Sequence, residues 1–223
     1  MLTHVPQQET TLPYKQGGLG LGLTGTHRTG KTTTAELVAQ QNDIPFLANI
    51  GSSLASMMGI DFSKPVSLAE RLAYQMRRLD LMEKAYKETK GSIFVADRTP
   101  LDTAAYTLAE FASSTPEPEL VEDCNAYVKR CFDLTNLYFA HLFYFRPALP
   151  YKEAPGKPPA NTAYQDHINV MIGGLLIDVR SYCMFTVIPL GKTDLHERAD
   201  IINQVGAEVV FRISQNARSF AAC

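Results

Sequence analysis

The first part of the chain with a clear hydrophobic pattern is residues 19–23, where leucine alternates with glycine. Alternation with a period of two predicts a β-strand, and short runs of consecutive apolar residues further along predict strands buried on both faces. Between these runs, apolar residues recur every three or four positions, the period of an amphipathic helix. This order predicts an α/β protein with a parallel sheet between helices. The predicted strands are residues 19–23, 43–50, 92–96, 141–145 and 185–189.

The predicted helices lie between these strands. The longest begins at a capping box, in which Ser67 and Glu70 bind each other's backbone N–H groups, and it continues to about residue 89. We expect four of its basic residues to form mostly a solvated face: Arg71, Arg77, Arg78 and Lys84. The other predicted helices span about residues 31–41, 52–58, 101–111, 119–139 and 163–182, with two more beginning near residues 195 and 207.

The loop after the first strand reads G-T-H-R-T-G-K-T, which matches the phosphate-binding pattern G-x-x-x-x-G-K-[ST]. Its N–H groups and the start of the following helix suit phosphate oxygens, because both carry partial positive charge. Lys31 can reach the β- and γ-phosphates, and the hydroxyl of Thr32 can ligate Mg²⁺. The sequence therefore predicts binding of a nucleoside triphosphate with Mg²⁺ by Gly25, Thr26, His27, Arg28, Thr29, Gly30, Lys31, Thr32 and Thr33.

Asp97 and Arg98 directly follow the third predicted strand. Ligands of open parallel sheets bind beyond the carboxyl ends of the strands, so we expect Asp97 to lie near the phosphate-binding loop. A carboxylate there can hold the Mg²⁺ shell or accept the proton of an attacking hydroxyl. The alternative, a helix start at Thr99 and Pro100, explains those two residues but not the preceding pair. We predict Lys31, Asp97 and Arg98 as catalytic residues, with Thr32 and Asp97 as Mg²⁺ ligands.

Two further residues are predicted to contact the substrate. Asp102 lies five residues beyond Asp97, and Arg146 ends the fourth strand. The proline- and lysine-rich loop around residues 147–163 follows, and long loops in compact domains are often lids. Its basic residues could stabilise charge on a transferred phosphoryl group, and the alternative is a plain solvated loop.

Composition and charge reduce the number of function classes to which the protein can belong. A net charge of −2 does not indicate a broad nucleic-acid surface, although a local basic patch stays open. No apolar run approaches the length of a membrane span, and the N-terminus lacks a signal-peptide pattern, so we expect a cytoplasmic protein. The four cysteines lack metal-site spacing, so we expect free thiols. The prolines, glutamines and threonines of residues 1–18 follow no period and predict a loose tail. The length of 223 residues predicts one domain over residues 19–223, with a homodimer left open.

Through residues 25–32, the Asp97-Arg98 pair and the basic loop, the chain resembles P-loop NTPases of the kinase branch. It is most similar to ribosylnicotinamide-kinase-like proteins and to nucleoside and nucleotide kinases, which carry an acidic residue followed by arginine at the equivalent strand tip. The resemblance implies a three-layer P-loop kinase fold, with a five-stranded parallel sheet, the P-loop strand at its centre and helices on both faces. One departure is the stretch 164–167, Y-Q-D-H, where related kinases often carry arginines.

The resemblance implies ATP-dependent transfer of the γ-phosphoryl group to a hydroxyl of a nucleoside- or nucleotide-like acceptor. One alternative is a bacteriophage DNA-modification kinase that acts on a hydroxymethylated base in DNA, as certain phage kinases of this fold do with hydroxymethyluracil. Its DNA backbone contacts would be Arg77, Arg78, Lys152 and Lys157. An alternative of another class is an NTP-hydrolysing switch or ATPase, although the N-K-x-D and D-x-x-G patterns of GTPases are absent from the sequence.

Overall fold

The computed structural model describes residues 18–112, 114–151 and 160–221, with side chains described up to residue 215. The strands in this part of the chain are β1 Gly20–Gly25, β2 Phe46–Leu47, β3 Phe94–Asp97, β4 Phe139–Phe145 and β5 Phe185–Val187. They form one sheet in the order β2-β3-β1-β4-β5, and every neighbouring pair is parallel. The predicted five-stranded parallel sheet with a central P-loop strand is therefore confirmed.

Helices connect consecutive strands or follow the last one. Within the described residues they are α1 Lys31–Asn42, α2 Gly51–Met57, α3 Leu68–Glu88, α4 Pro100–Ala112, α5 Pro118–Tyr138, α6 Thr162–Leu176 and α7 Leu195–Ala221. The predicted capping box at α3 is confirmed, since Ser67 Oγ accepts from the Glu70 N–H at 3.2 Å and the Glu70 carboxylate accepts from the Ser67 N–H at 3.1 Å.

Two predicted helix boundaries were wrong. Helix α6 ends at Leu176 rather than near residue 182, because the carboxylate of Asp178 accepts hydrogen bonds from the backbone and guanidinium of Arg180 and stabilises a turn. Helix α7 is continuous where two helices were predicted. Gly206 alone does not end it, since one glycine costs only about 1 kcal/mol inside a helix that packs on a sheet.

Side chains of the central strands point alternately to the two faces of the sheet and form two separate cores. On one face, Phe94 and Leu142 pack with buried residues of α3, α4, α5 and α6. On the other face, Leu23, Val95 and Phe143 pack with buried residues of α1 and α7. The molecule therefore has the predicted three layers, with helices on both faces of the sheet.

The solvated basic face predicted for α3 is only partly present, with Lys84 exposed as expected. Arg77 is exposed, but Arg78 is buried, and Arg71 makes a 2.7 Å ion pair with Glu110. Arg78 falls three residues after the buried Gln75, so it lies in the buried stripe of the helix. The prediction for Arg78 was wrong because the stripe includes polar residues that hydrophobic periodicity does not count.

Two predictions from the sequence, on membrane-spanning segments and on the cysteines, can be compared with the described residues. None of their helices combines the length and apolarity that crossing a bilayer requires. Cys124, Cys131 and Cys183 are buried free thiols, as predicted, whereas Cys223 lies outside the described residues.

Candidate functional site

The phosphate-binding loop connects the end of β1 to the start of α1, at the carboxyl edge of the sheet. Gly25 and Gly30 have φ angles of +144° and +81°, which residues with side chains rarely adopt. At Gly25 a Cβ atom would also collide with the backbone oxygen of Phe145 in β4. The two glycines therefore let the loop curl beside β4 and turn directly into the N-terminus of α1.

Lys31 is buried, and its side chain lies along the loop. Its ammonium group donates to the backbone oxygen of Thr26 and, at 2.9 Å, to the hydroxyl of Thr29. Burial, and then the positive charge of Arg98, lower the pKa of Lys31 from 10.5 to about 7. A bound triphosphate would raise this pKa again, because nearby negative charge favours the protonated amine. The geometry therefore suits an ammonium group that becomes fully charged when phosphate arrives.

Asp97 lies next to the phosphate-binding loop, as its position at the tip of β3 predicted. Its Oδ2 accepts a hydrogen bond from Thr32 Oγ1 at 2.6 Å, and the residue is 4% exposed. Hydroxyl and carboxylate oxygens are suitable Mg²⁺ ligands, and this ion usually takes only one or two protein groups beside phosphates and water. The donor set therefore fits the predicted Mg²⁺, with Thr32 and Asp97 as the residues that would hold it.

Arg98 and Asp102 connect the tip of β3 to the end of β1. Arg98 has a φ of +94° and donates to the backbone oxygen of Gly25 at 2.9 Å and to Asp102 Oδ1 at 3.3 Å. The fully buried carboxylate of Asp102 also accepts from the Gly25 N–H and from the N–H and hydroxyl of Thr99, at 2.8 to 3.0 Å. The structure thus places Asp102, a predicted substrate contact, beneath the loop, where it positions Gly25 and Arg98.

We expect Asp102→Ala to lower the free energy of unfolding by about 3 kcal/mol, because the substitution leaves a buried guanidinium and buried N–H groups without their acceptor. Urea unfolding followed by circular dichroism measures this change. Asp102→Asn is the matched control and should lose less, since its amide oxygen can still accept from Gly25. Equal unfolding midpoints for wild type and Asp102→Ala would contradict the assigned role.

The tip of the loop is held by two helices that pack on the face of the sheet opposite to α1. The backbone N–H of His27 donates to Tyr106 Oη of α4 at 3.1 Å, and its backbone oxygen accepts from Gln165 Nε2 of α6 at 2.8 Å. Burial, and then the charges of Arg98, Lys31 and Arg28, lower the pKa of His27 to about 4, so its ring is neutral near pH 7. Gln165 lies in the stretch 164–167, and here its side chain holds the backbone of the loop.

Arg198 of α7 also contacts the phosphate-binding loop, and the sequence did not predict it. It is 5% exposed, and its guanidinium donates to the backbone oxygens of Thr29 at 3.2 Å and Asp194 at 3.1 Å. The loop is therefore held from both faces of the sheet. A single arginine in an amphipathic helix, 169 residues from its partner, carries no local signal of this contact.

The remaining predicted site residues lie around the loop. Thr33 donates its hydroxyl to the backbone oxygen of Gly30 at 3.1 Å, and the guanidinium of Arg28 lies 4.9 Å from the ring centre of Tyr151. Arg146 follows β4 and is half-buried, with a buried Nε that lacks a hydrogen-bond partner within the described part of the chain. The predicted lid residues Lys152 and Lys157 lie outside the described residues.

A pocket opens beside Asp97. Residues that follow β2, residues of α3 and the tip of β3 line it, among them Ile50, Arg78, Tyr86 and Arg98. Asp97 contributes to both the pocket lining and the phosphate-binding loop contact. A molecule in this pocket would therefore lie next to Asp97, which also contacts the phosphate-binding loop.

Comparison with known proteins gives one family and several solved structures. The family model of an AAA domain matches residues 22–198. Deoxyadenosine kinase from M. mycoides, solved with dCMP and dCDP, is 16% identical with a TM-score of 0.59 over 84% of this chain and 99% of that one. Thymidylate kinase from Ehrlichia chaffeensis is 17% identical with a TM-score of 0.53, over 88% and 99% of the two chains.

A third similar structure is the NadR protein in complex with NAD and AMP-PNP, at 13% identity and a TM-score of 0.58. The match covers 84% of this chain but only 48% of NadR. No curated protein matches the sequence. At these identities the structural likeness shows a shared fold, the P-loop kinase fold.

Proposed function

The chain belongs to the AAA-domain family, and from this premise we propose that it is an ATP-dependent kinase that phosphorylates a hydroxyl of a nucleoside- or nucleotide-like acceptor. One observation carries the proposal, namely that Asp97, whose Oδ2 is 2.6 Å from Thr32 Oγ1 of the phosphate-binding loop, is also one of the residues that line the neighbouring pocket. A carboxylate between the two compartments is suited to act on a hydroxyl that attacks a bound triphosphate.

The chemistry follows from these positions. The loop N–H groups and Lys31 would hold the triphosphate, and Mg²⁺ held by Thr32 and Asp97 would neutralise phosphate charge when bound. Asp97 would orient the acceptor hydroxyl and accept its proton as the oxygen bonds to the γ-phosphorus. The bond from the γ-phosphorus to the bridging oxygen breaks, and ADP leaves with that electron pair. Arg98 would add positive charge beside the transferred group.

The solved structures support the choice of acceptor class. Two of them are named as kinases of deoxyadenosine and thymidylate, and NadR was solved with NAD and an ATP analogue. A base and a sugar or phosphate thus recur among ligands bound by this fold. We therefore propose a nucleoside- or nucleotide-like acceptor for this chain, with ATP as the phosphoryl donor.

Incubation with γ-labelled ATP and Mg²⁺ tests the proposal. The acceptors would be nucleosides, nucleoside monophosphates, ribosylnicotinamide, and DNA with and without hydroxymethyluracil. We expect label on a free nucleoside or nucleotide. Label on modified DNA alone would replace this acceptor by the DNA-modification alternative, whereas phosphate release with no labelled acceptor would indicate an NTP-hydrolysing switch and overturn the kinase proposal.

A further inference from the structure

Arg198 of α7 is a buried cation whose neighbouring acids are bound elsewhere. Among the described residues its guanidinium donates only to the backbone oxygens of Thr29 and Asp194, and the residue is 5% exposed. The Asp194 carboxylate accepts two backbone N–H groups at the start of α7, and the Glu197 carboxylate pairs with Lys192 at 2.8 Å. Burial lowers the pKa of the Arg198 guanidinium, because the charged form loses solvation. A cation buried without a counter-charge costs stability, so this one requires an explanation.

The contact with Thr29 places the guanidinium against a single peptide unit of the phosphate-binding loop. The C=O of Thr29 and the N–H of Gly30 belong to this unit, and in a trans peptide they point in opposite directions. Since Arg198 Nη1 is 3.2 Å from the oxygen, the N–H points away from the guanidinium, and it donates to no atom of the residues that the structure describes. A Cβ atom at Gly30 would collide with Nη1, so this contact requires glycine.

A cation on the oxygen of a peptide makes the N–H of the same peptide a stronger donor, because hydrogen bonds in a chain polarise one another. The N–H of Gly30 is one of the loop groups that would hold phosphate. The 3.2 Å contact, the peptide and one further hydrogen bond together put the guanidinium about 8 Å from a phosphate on that N–H. A bound polyphosphate would therefore supply the counter-charge that Arg198 lacks among the described residues.

We propose that Arg198 is a positioning residue for the polyphosphate, acting through the Thr29–Gly30 peptide, which it polarises toward the phosphate without touching the ligand. The inference rests on the proposed function for the ligand of the loop, and it adds a second cation to Lys31. Lys31 belongs to the loop itself, whereas Arg198 reaches the loop from α7. The affinity for polyphosphate therefore depends on the packing of α7, and the effect of Arg198 follows phosphate charge rather than the identity of the base.

Equilibrium binding without an acceptor tests this assignment independently of catalysis. Calorimetric titration with Mg²⁺ present would use AMP-PNP, ADP and inorganic tripolyphosphate, which has neither base nor sugar. We expect Arg198→Met to weaken all three by about tenfold or more, since a unit charge about 8 Å from phosphate in a partly buried site changes affinity by that order. Arg198→Lys keeps the charge and a donor and should stay within about threefold of the wild type. Arg212→Met, an exposed arginine on the same helix, is the matched control and should bind as the wild type does.

Thermal unfolding separates a positioning role from a structural one. Ligand-free Arg198→Met should have a Tm equal to or above that of the wild type, because it removes a buried charge without a counter-charge. A lower Tm with unchanged affinities would show a structural role and overturn the proposal. A loss confined to AMP-PNP and ADP would show a contact with base or sugar and would also overturn it, as would an Arg198→Lys variant as weak as Arg198→Met. If Arg198→Met does not fold, Arg198→Gln, which keeps a donor without the charge, replaces it in the comparison with Arg198→Lys.

The two proposals can fail separately. Polyphosphate binding that depends on Arg198, without a labelled acceptor, would leave this assignment standing and remove the kinase. Phosphoryl transfer by the wild type, together with equal polyphosphate affinities of wild type and Arg198→Met, would leave the kinase standing and remove the role of Arg198. A wild type that binds none of the three polyphosphates would overturn both.

Discussion

Asp97→Asn is expected to lower kcat for phosphoryl transfer by about two to four orders of magnitude, the range typical of a lost general base. Asparagine has nearly the same shape, and its amide oxygen can still accept from Thr32 Oγ1, now 2.6 Å from the carboxylate. It lacks the negative charge and does not take up the proton of an attacking hydroxyl. Steady-state kinetics with the acceptor found in the labelling experiment measures kcat, and titration with a fluorescent ATP analogue measures nucleotide affinity.

The matched control for this variant is Asp123→Asn, an exposed aspartate on α5 that should leave kcat unchanged. The affinity for ATP should fall much less than kcat in Asp97→Asn, because Lys31 and the loop N–H groups are retained. An unchanged kcat would show that Asp97 is not the base. A large fall in Tm would instead show that the Thr32 contact is structural.

Lys31→Met is expected to lower kcat/KM by about a thousandfold or more, equivalent to roughly 4 kcal/mol of transition-state stabilisation. The ammonium group would contact the β- and γ-phosphates where negative charge develops, and methionine fills a similar volume without charge. The side chain is buried and its pKa is lowered to about 7, so the folded protein already disfavours the charged amine without a ligand. We therefore expect the fold to survive, with circular dichroism as the check.

Lys84→Met is the matched control for Lys31→Met, since Lys84 is on α3 with a side chain that is 72% exposed. It should transfer phosphoryl groups at the wild-type rate. If Lys31→Met keeps its activity while the control behaves as expected, the loop is not where the triphosphate binds, and the proposed site fails. If both variants lose activity, the cause is the preparation of the protein rather than the change in the loop.

Most of the fold was predictable because its signals are local. The glycines and Lys31 of the loop, the Ser67–Glu70 capping box and the apolar run before Asp97 each act within a few residues, and the structure contains all of them. The position of Asp97 beside Thr32 also followed, since parallel strands bring their carboxyl ends to one edge of the sheet.

The sequence-based predictions failed where the burial of polar groups or contacts between distant residues determine the structure. Periodicity counts apolar residues, so it assigned Arg78 to solvent although the residue lies in the buried stripe of α3. The predicted end of α6 missed the Asp178–Arg180 turn, because a helix pattern does not show a local hydrogen bond that competes with it.

The sequence by itself determined the central strand, the phosphate-binding loop and the carboxylate facing it, because each depends on neighbours in the chain and on the parallel order of strands. Only the tertiary structure decided what holds the loop in place: Asp102 on Gly25, Gln165 on His27, and Arg198 on Thr29. These contacts join residues 77, 138 and 169 positions apart. They depend on helices from both faces packing on the sheet, and no short pattern encodes such packing.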